Sequence, residues 1–528
     1  MNARVTSPVT PVSQRLRRAA VPSCLAAVSG VLYFLAFPGP GLWPLGFVAL
    51  VPLVMALHGK RPGHAFALGW LAGFTTTLAG FWWLLEMLRK YSGFPMPLCV
   101  LLLVLLSAYQ GLRMAVSAWL YARATQRAWP ADLAFLLSFS GLEAVFPLLF
   151  PWYFGAVLHN VPVLIQTADI AGPITITTLL VAVNLACAQA FRAARDKRYP
   201  NRAALMLLAA PVLFLVYGAW RIHTVDAGAA TAPRLLVGTI QGNVPMDTSG
   251  AQAYQQAFHR QAQMADTLVR QGVQLVVWSE SAFLYTVRTD TMQTDLMMAL
   301  PSQLQVPNIV GAIVEAPGDQ RQREFNSALM VTDRGVVRGR YDKRFLLPFG
   351  EYIPFGETFP KLYEWSPQSG HVTSGTSWAP LPYEDKRITA LVCYEDIVPG
   401  FVNEAVEKAR PHLLVNLTND AWFGDTWEPW MHHALARLRA VEHHLYLVRA
   451  TNTGVSSIID PVGRLLGRTD TFVATTMTGE IRWMAGGTWY ETLGDSLWHA
   501  AAVLSLVAAF VRRPDRPRQT GAVARRAE

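Results

Sequence analysis

The chain has 528 residues, of which 52% are hydrophobic and 15% are charged, and its mean hydropathy is +0.25. This apolar composition excludes an ordinary soluble protein of such length and indicates insertion into a membrane. The net charge of +9 does not indicate nucleic-acid binding, because much of the basic charge lies in loops and a tail that flank apolar stretches.

Eight apolar stretches predict membrane-spanning helices, since crossing the hydrocarbon core takes about 20 residues. They lie at residues 19–37, 41–57, 64–86, 97–120, 131–150, 171–191, 203–219 and 493–511. The second and seventh stretches are short for a span. The arginines before the first stretch are also typical of a signal peptide, but the six apolar stretches that follow favour a first transmembrane helix.

The basic residues predict the orientation of these spans. Alternate loops share them: Lys60, Arg61, Arg123, Arg127, Arg192, Arg195, Lys197, Arg198 and Arg202. The positive-inside rule puts those loops and the N-terminus in the cytoplasm, with Arg89 and Lys90 as the exception on the opposite side. The prediction is therefore transmembrane helices within residues 1–220, a soluble domain at 234–485 outside the cytoplasm, a last transmembrane helix at 490–512, and a basic cytoplasmic tail at 513–528 that contacts anionic lipid.

The soluble domain has the pattern of an α/β fold. Runs typical of strands include "RLLVGTI", "QLVVWSES", "NIVGAIV", "SALMVTD", "ITALVCYE", "HLLVNLTND", "LYLVRATN" and "SSIIDPVG", and helical patterns cover 252–271 and 428–444. Strands that alternate with helices, some of them apolar throughout, predict a layered domain with covered sheet faces.

One cysteine stands apart from the others. Cys24, Cys99 and Cys187 lie inside predicted spans, where a thiol behaves as a small apolar group. Cys393, in "ITALVCYEDI" at 388–397, is the single cysteine of the soluble domain and ends an apolar run. It cannot form a disulfide within that domain, so it is either buried and inert or kept for chemistry.

Two further segments carry ionisable residues at the ends of predicted strands, where active sites of α/β domains tend to lie. Glu280 ends the run "VVWSESA", and Lys343 and Glu351 lie among apolar residues and prolines in "YDKRFLLPFGEYIPFGE". Each alone is most simply a solvated charge. Together with Cys393 they supply a carboxylate, an amine and a thiol, which can serve as base, cation and nucleophile.

The motifs "WSES", "YDKRFLLPFGEY" and "CYED", in this order, resemble the Glu-Lys-Cys triad of the nitrilase (carbon-nitrogen hydrolase) superfamily. The whole chain more specifically resembles the apolipoprotein N-acyltransferase family. The segments that carry this resemblance are "FPLLFPW" at 146–152, "IQGNVP" at 240–245, "KRFLLPFGEYIP" at 343–354, "NLTNDAWFGD" at 416–425 and "RATNTGVSSIID" at 449–460. The order of seven spans, soluble domain and final span agrees with it.

The resemblance implies roles for six residues. Cys393 would be the nucleophile, Glu280 the general base and acid, and Lys343 the group that stabilises the thiolate and the oxyanion. Glu351, Tyr394 and Glu395 fall on supporting positions.

The resemblance also implies a nitrilase-type αββα sandwich on a bundle of membrane helices. It implies no cofactor. From the residues themselves we expect no metal site and no nucleic-acid partner. The partners are a phospholipid, typically phosphatidylethanolamine, that donates its sn-1 acyl chain to the cysteine, and a diacylglyceryl-apolipoprotein that accepts it on its α-amino group. The location is the bacterial inner membrane, with the catalytic domain on the periplasmic side.

The chain departs from the family pattern after the "QGN" motif. Family members often carry a tryptophan there, whereas this chain has "MDTSG" at 246–250 and no aromatic residue before Tyr254. We therefore assign no site residue in this segment.

The chemistry also follows from the residues. A thiol with an ordinary pKa of about 8.5 is protonated at neutral pH and needs a base or a cation to react. We expect Trp278, Ala282 and Phe283 to raise the pKa of the Glu280 carboxyl, which suits a group that must take and return protons. We expect Glu351 to orient the lysine or the base. Glu395 is expected to hydrogen-bond to the backbone or to Tyr394 and so to fix the turn of the thiol, the alternative being a surface acid.

Apolar residues crowd the lysine segment and a second loop, and we expect half of them to be core and the rest to meet a lipid acyl chain. They are Phe345, Leu346, Leu347, Phe349, Ile353, Phe355, Trp422, Phe423, Trp427 and Trp430. The histidine pairs 432–433 and 443–444 do not indicate a metal site, because adjacent residues do not share a helix face. Glu143 in the fifth span is expected to pair inside the bundle with Arg113.

Three functions stay open on the residues alone. The first is the acyltransferase, and the second is a membrane-tethered hydrolase of the nitrilase type, in which water resolves the thioester. The third is a transporter or receptor whose soluble domain only binds, for which Cys393→Ala would leave function intact.

Overall fold

The computed structural model describes residues 12–91, 93–199, 202–299, 305–316, 323–365 and 370–513. Its first part is helical, with short 3-10 turns at Trp43–Phe47 and Phe154–Leu158. The helices are α1 (Val12–Leu35), α2 (Val51–Leu57), α3 (Pro62–Gly80), α4 (Leu84–Tyr91), α5 (Met96–Gln126), α6 (Ala131–Val145), α7 (Pro162–Ile165), α8 (Ala168–Ala171), α9 (Pro173–Arg195) and α10 (Arg202–Thr231). The tail beyond residue 513 lies outside the described residues.

Over these residues, three helices are long and apolar enough to cross a membrane, namely α5, α9 and α10. The pair α3 and α4 also meets that test together, but it is bent by 53° at the break between them. Shorter apolar helices lie at Ala20–Leu35, Trp43–Leu57 and Ser496–Phe510. The predicted count of eight spans is therefore not confirmed.

Local chain geometry explains why several predicted spans are shorter in the structure. The stretch 41–57 divides into a 3-10 turn and the seven-residue α2. The stretch 131–150 is helical only as far as Val145, because the segment "FPLLFPW" leaves the helix with two prolines that lack a backbone donor.

The predicted pairing of Arg113 with Glu143 is confirmed. Arg113 Nη1 lies 2.8 Å from Glu143 Oε1, and both side chains are buried between α5 and α6. Glu143 also accepts hydrogen bonds from the backbone N–H of Phe154 at 2.8 Å and from Thr177 Oγ1 at 2.7 Å. The Glu143 carboxylate, a charge that is costly in lipid, is thus satisfied by three donors from the protein.

The second part of the chain contains the strands. They are β1 (Arg234–Gln241), β2 (Leu275–Val277), β3 (Phe283–Arg288), β4 (Asn308–Glu315), β5 (Glu324–Val331), β6 (Val337–Asp342), β7 (Leu381–Tyr383), β8 (Lys386–Val392), β9 (Leu413–Thr418), β10 (Leu447–Thr451), β11 (Ser457–Ile459), β12 (Leu465–Arg468) and β13 (Thr475–Arg482). The helices are α11 (Ala251–Arg270), α12 (Met292–Ala299), α13 (Lys361–Trp365), α14 (Pro399–Ala409), α15 (Glu428–His443), α16 (Trp489–Leu493) and α17 (Ser496–Phe510).

These strands form two sheets. The first has the order β13-β1-β2-β4-β5-β6, with β3 paired to β4, and the second has the order β12-β11-β10-β9-β8-β7. The strands β1, β2 and β4 are parallel, and so are β8, β9 and β10, whose crossovers are α14 and α15. The predicted helices at 252–271 and 428–444 are confirmed as α11 and α15 within one residue at each end.

Alternating side chains build four layers from these sheets. Along β8, Ala390 and Val392 face the other sheet in one buried cluster, while Leu391 faces α14 and α15 in another. Phe258 of α11 packs with Val276 and Val310 on the outer face of the first sheet. The predicted αββα sandwich is confirmed, because both inner faces are apolar and both outer faces are covered by helices.

The sandwich lies against the helical bundle through α15, which is buried on every side. Its Arg437 donates from Nη1 to Asn160 Oδ1 at 2.8 Å, and the aromatic ring of Phe423, which precedes α15, meets Trp83 edge-on at 5.2 Å. The Tyr394 hydroxyl donates to the carbonyl oxygen of Leu149 at 2.5 Å. The bundle therefore contacts the turn that carries the candidate nucleophile.

The buried pair in the bundle gives a stability prediction. Glu143→Ala leaves the Arg113 guanidinium unpaired and removes the acceptor of Phe154 N–H, so we expect it to cost about 3–5 kcal/mol, as for other broken buried pairs. Thermal unfolding in detergent measures the loss. The double variant Arg113→Met, Glu143→Leu should be more stable than Glu143→Ala, because it leaves no unpaired charge in the bundle. A double variant that is less stable than Glu143→Ala would contradict the pairing.

Candidate active site

The candidate site lies between the two sheets, and four separate segments contribute to it. Glu280 follows β2 and Lys343 follows β6 in the first sheet, and Cys393 follows β8 in the second. Asn326, inside β5, completes the group. All four are at least nine-tenths buried. The structure thus brings together the three residues that the resemblance implies as a triad, at the carboxyl ends of strands.

Lys343 is held by two carboxylates. Its Nζ lies 2.8 Å from Glu351 Oε2 and 3.7 Å from Glu280 Oε1. Asn326 Nδ2 donates to Glu280 Oε1 at 2.7 Å and to Glu351 Oε1 at 3.2 Å. Glu351 also accepts from the backbone N–H of Leu347 at 2.8 Å. Glu351 therefore lies where it orients the ammonium, and Asn326 joins it to Glu280.

Cys393 begins a 3-10 turn, Cys393–Ile397, with a φ of 51°. This left-handed conformation is sparsely populated for residues other than glycine and persists only where neighbouring contacts hold it. Glu395 Oε2 accepts from the backbone N–H of Val392 at 2.7 Å. The backbone that presents the thiol is thus bonded to a side chain of its own turn.

Glu395 also joins this turn to the lysine loop. Its Oε1 accepts from Tyr341 Oη at 2.8 Å, from Arg344 N at 2.7 Å and from Phe345 N at 3.0 Å. The side chain has no exposed surface, so the alternative of a surface acid is wrong. Burial raises the pKa of Glu395 to about 7, against the lowering effect of these hydrogen bonds.

Tyr394 faces away from the thiol, toward the bundle. Its ring stacks on Phe345 at 5.8 Å, and its hydroxyl reaches Leu149. It does not hydrogen-bond to Glu395, one of the partners expected from the sequence; Glu395 uses backbone groups and Tyr341 instead.

Burial dominates the electrostatics of the site. It raises the pKa of Glu280, against the lowering effect of the Lys343 ammonium, and Trp278, Ala282 and Phe283 are buried around it as expected. Burial and the Glu280 carboxylate also raise the pKa of Cys393 well above its ordinary value, although Lys343 acts in the opposite direction. The expectation that Lys343 favours the thiolate is thus right in sign, but burial is the larger effect.

Lys343 itself stays protonated. Burial lowers the pKa of its ammonium, but the nearby Glu351, Cys393 and Glu280 raise it further than burial lowers it. A neutral thiol, a carboxyl of raised pKa and a fixed cation form a site in which a proton moves from sulfur to carboxylate only as the sulfur attacks.

Sequence reasoning missed Asn326, Tyr341 and Gly311. A Cβ added to Gly311 of β4 would lie 2.4 Å from the Ser279 carbonyl oxygen and 2.9 Å from Glu280 Cα. The absence of a side chain at Gly311 therefore lets the backbone of Ser279 and Glu280 pack closely against β4. Two of these residues left a signal in the sequence, because each interrupts an apolar strand run: Gly311 lies in "NIVGAIV" and Asn326 in "EFNSALMV".

A cleft of about 1200 Å³ opens beside the lysine loop and is lined by Arg344, Phe345, Leu346, Tyr352 and Ile353 among others. Of the ten apolar residues singled out in the sequence, only Ile353 and Phe423 are fully buried, so the expectation that half are core was too high. Phe349 and Phe355 are 62% and 77% exposed. The segment "MDTSG" begins at Met246, whose Sδ accepts a hydrogen bond from Asn419 Nδ2 at 3.4 Å.

The histidine pairs face in different directions, as expected for adjacent helical residues. His433 Nε2 meets Ser457 Oγ at 3.1 Å, whereas His432 lies among acids. Asp420, Glu428 and His432 have ligand-type atoms within 4.8 Å of one another. Both ring nitrogens of His432 lie on aspartate oxygens, so no lone pair of the ring is left for a metal ion.

Two family models match separate parts of the chain. The family model described as apolipoprotein N-acyltransferase N-terminal domain matches residues 29–186, and the one described as carbon-nitrogen hydrolase matches residues 236–490. An amidase of known structure from Nesterenkonia sp. is 18% identical, covers 50% of this chain and 95% of its own, and has a TM-score of 0.36.

Curated relatives match nearly the whole chain. An apolipoprotein N-acyltransferase of Geobacter metallireducens is 33% identical over 497 residues, which are 93% of this chain and 95% of the relative. Proteins of the same name from Rhizobium rhizogenes and Azotobacter vinelandii are each 31% identical and cover 86% and 93% of this chain, and 90% and 95% of their own length.

The fold and the family match define the class of the second part of the chain: residues 236–490 form a carbon-nitrogen hydrolase domain. With relatives above 30% identity that align from the bundle to the sandwich, the chain belongs to the apolipoprotein N-acyltransferase family, a group of acyltransferases. The resemblance drawn from the motifs is confirmed.

The raised pKa of the thiol gives a prediction. The rate of Cys393 alkylation by iodoacetamide should rise with pH to a midpoint above 9, because burial raises the pKa of this thiol well above its ordinary value. Glu280→Gln removes an anion and should lower that midpoint, whereas Lys343→Met should raise it. Peptide mass spectrometry follows Cys393 separately from the other thiols. A wild-type midpoint at or below 9 would contradict the electrostatics described above.

Proposed function

We propose that this chain transfers an acyl group from a phospholipid to the N-terminal cysteine of an apolipoprotein through a thioester on Cys393. The observation that carries the proposal is a buried thiol that meets a buried carboxylate and ammonium, in a chain of the apolipoprotein N-acyltransferase family. The donor is the sn-1 chain of a phospholipid such as phosphatidylethanolamine. The acceptor is the α-amino group of a diacylglyceryl-cysteine.

In the first half of the reaction, Cys393 Sγ attacks the ester carbonyl while its proton passes to the Glu280 carboxylate. The sulfur–carbon bond forms, and the oxyanion that develops is stabilised by the Lys343 ammonium. The ester carbon–oxygen bond then breaks, and Glu280 returns the proton to the departing lysophospholipid oxygen. The raised pKa of Glu280 suits it to both transfers.

In the second half, the α-amino nitrogen of the acceptor attacks the thioester carbonyl and gives a proton to Glu280. The carbon–nitrogen bond forms, the carbon–sulfur bond breaks, and the proton returns to the Cys393 thiolate. Glu351 holds the Lys343 ammonium, and Asn326 donates to both Glu280 and Glu351. The two residues thereby keep the ammonium and the base in register through both halves. No step requires a cofactor.

The acyl donor is proposed to enter from the side of the bundle. The lysine loop carries exposed rings, Phe349 and Phe355, and Trp82 of the bundle and Trp422 of the sandwich are 38% and 37% exposed. Aromatic rings rest favourably at a membrane interface. The open cleft beside Phe345 and Leu346 is large enough to take acyl-chain carbons.

The proposed location is the bacterial inner membrane, crossed eight times. Residues 234–485 face the periplasm, the span at 490–512 returns the chain, and the tail at 513–528 lies in the cytoplasm. The uneven distribution of lysine and arginine between alternate loops supports this orientation. Trp220 and Trp489, 55% and 68% exposed, lie near the junction of bundle and sandwich as interfacial anchors would.

The role of Glu280 predicts an acid limb in the pH profile. The base must be ionised before attack, so the rate of enzyme acylation should fall as pH falls through the pKa of Glu280. Because burial raises that pKa, the limb should be centred above 4.5, the ordinary value. Single-turnover kinetics on phospholipid measure it. Glu280→Gln should lose the limb and about 10²–10⁴-fold in rate; an unchanged limb in that variant would assign it to another group.

The proposed thioester is tested directly by intact mass. Purified protein incubated with phosphatidylethanolamine should gain one acyl chain, absent in Cys393→Ser but present in the matched control Cys24→Ser. Adding a diacylated lipopeptide should remove the adduct as triacylated product appears. If the adduct is lost to free fatty acid at the same rate with and without lipopeptide, the protein is a hydrolase. If Cys393→Ala leaves function intact, the soluble domain only binds, because alanine has no nucleophile.

A further inference from the structure

Behind the nucleophile turn lies a group of four charged side chains that the reaction described above does not use. We call Asp396, Asp420, His432 and Arg449 the charged clamp. They come from the turn after β8, the turn after β9, α15 and β10, and none is more than 4% exposed. Such groups are stable in an interior only when each charge is matched and hydrogen-bonded.

The contacts of His432 define its charge. Its Nε2 lies 2.7 Å from Asp396 Oδ1 and its Nδ1 lies 2.9 Å from Asp420 Oδ1. A carboxylate oxygen only accepts hydrogen bonds, so both ring nitrogens must donate, which only the imidazolium does. Burial and Arg449 oppose that charge, but the two aspartates outweigh them and raise the pKa of His432 to about 10.

Arg449 completes the balance. Its Nη2 lies 3.2 Å from Asp420 Oδ2, and its Nη1 donates to Asp396 Oδ2. Two cations therefore face two anions. Glu428, the other acid near His432, lies 4.0 Å from its Nδ1, and burial and the Asp420 carboxylate raise its pKa well above the ordinary value, which disfavours a third negative charge there.

Two links connect the charged clamp to Cys393. Asp396 belongs to the same 3-10 turn as Cys393, whose left-handed backbone needs external support. Arg449 Nη1 donates to Asn416 Oδ1 at 3.0 Å, and Asn416 Nδ2 donates to the Cys393 carbonyl oxygen at 3.4 Å. A change in the charge or position of the clamp is therefore transmitted to the turn that presents the thiol.

We propose that His432 is a positioning residue of the acyl-transfer reaction, held as an imidazolium between Asp396 and Asp420, where it fixes the Cys393 turn and neutralises the aspartates behind the thiol. This inference rests on the proposed function, in which Cys393 is the nucleophile. Without the imidazolium, one unbalanced anion would remain beside a thiol that already faces Glu280, Glu351 and Asp420, with Lys343 and Arg449 as nearby cations.

The test is the alkylation rate of Cys393 in full-length protein, which requires no phospholipid. His432→Gln keeps one hydrogen bond but loses the charge, so we expect the thiol pKa to rise by about one unit and alkylation at pH 8 to slow about tenfold. His433→Gln is the matched control, since His433 is the adjacent buried histidine and faces Ser457; it should stay within about twofold of wild type.

A charge-restoring variant separates electrostatics from mere packing. Asp420→Asn combined with His432→Gln leaves one anion facing one cation, so alkylation should recover most of the lost rate. A purely structural role predicts that the double variant is slower than the single one. An unchanged rate in folded His432→Gln, or a double variant slower still, would overturn the proposal.

A measurement on the wild type keeps the proposal testable if the variants do not fold. In histidine-¹⁵N-labelled protein at pH 8, His432 should show two protonated ring nitrogens, whereas His433 should show the neutral pattern because burial and Arg449 lower its pKa well below the ordinary value. A neutral His432, or stoichiometric zinc in the purified protein, overturns the proposal. Because neither readout uses acyl transfer, failure of the thioester experiment remains distinguishable from failure here.

Discussion

The candidate site depends on the burial of one ammonium between two carboxylates. Lys343 is 1% exposed and would be very costly there without Glu351 and Glu280. Two carboxylates exceed one ammonium by one negative charge, and in a dry site that excess is relieved by raising the affinity for a proton. Burial is the largest reason why the pKa values of Glu280 and Cys393 both lie above their ordinary values, and the neighbouring carboxylates add to it. The site therefore holds a mobile proton and no preformed thiolate.

The same constraint ties chemistry to folding. The base, the lysine and Asn326 come from one sheet and the thiol comes from the other, so the site does not exist until the sandwich closes. Glu395 holds the two halves together, because one oxygen binds the backbone before Cys393 and the other binds the loop after Lys343. A single buried carboxylate thereby sets the distance between nucleophile and cation.

The bundle contributes more than attachment to a membrane. Glu143 precedes the segment "FPLLFPW" and binds both Arg113 of α5 and the backbone N–H of Phe154, which follows that segment. Leu149 within that segment accepts from Tyr394, the neighbour of the nucleophile. An ion pair between apolar helices thus supports the loop on which the turn of Cys393 rests. In the sequence this segment stood out only by its likeness to the family.

Much of this protein was determined by its sequence alone. The α/β class, helices α11 and α15, the family, and the approach of Glu280, Lys343 and Cys393 follow from local patterns and motifs, because strand ends, apolar runs and isolated ionisable residues are visible along the chain. The pairing of Arg113 with Glu143 could also be predicted, since a charge in a bundle needs an opposite one. Tertiary structure alone decided which apolar stretches become long helices, because neither composition nor proline position fixes where a helix ends: Pro211 lies inside α10, whereas α6 ends at Val145, before Pro147. It alone revealed Asn326, Gly311 and the contacts of Glu395 and His432, because a buried polar group or a close backbone approach depends on partners that lie far away in the chain.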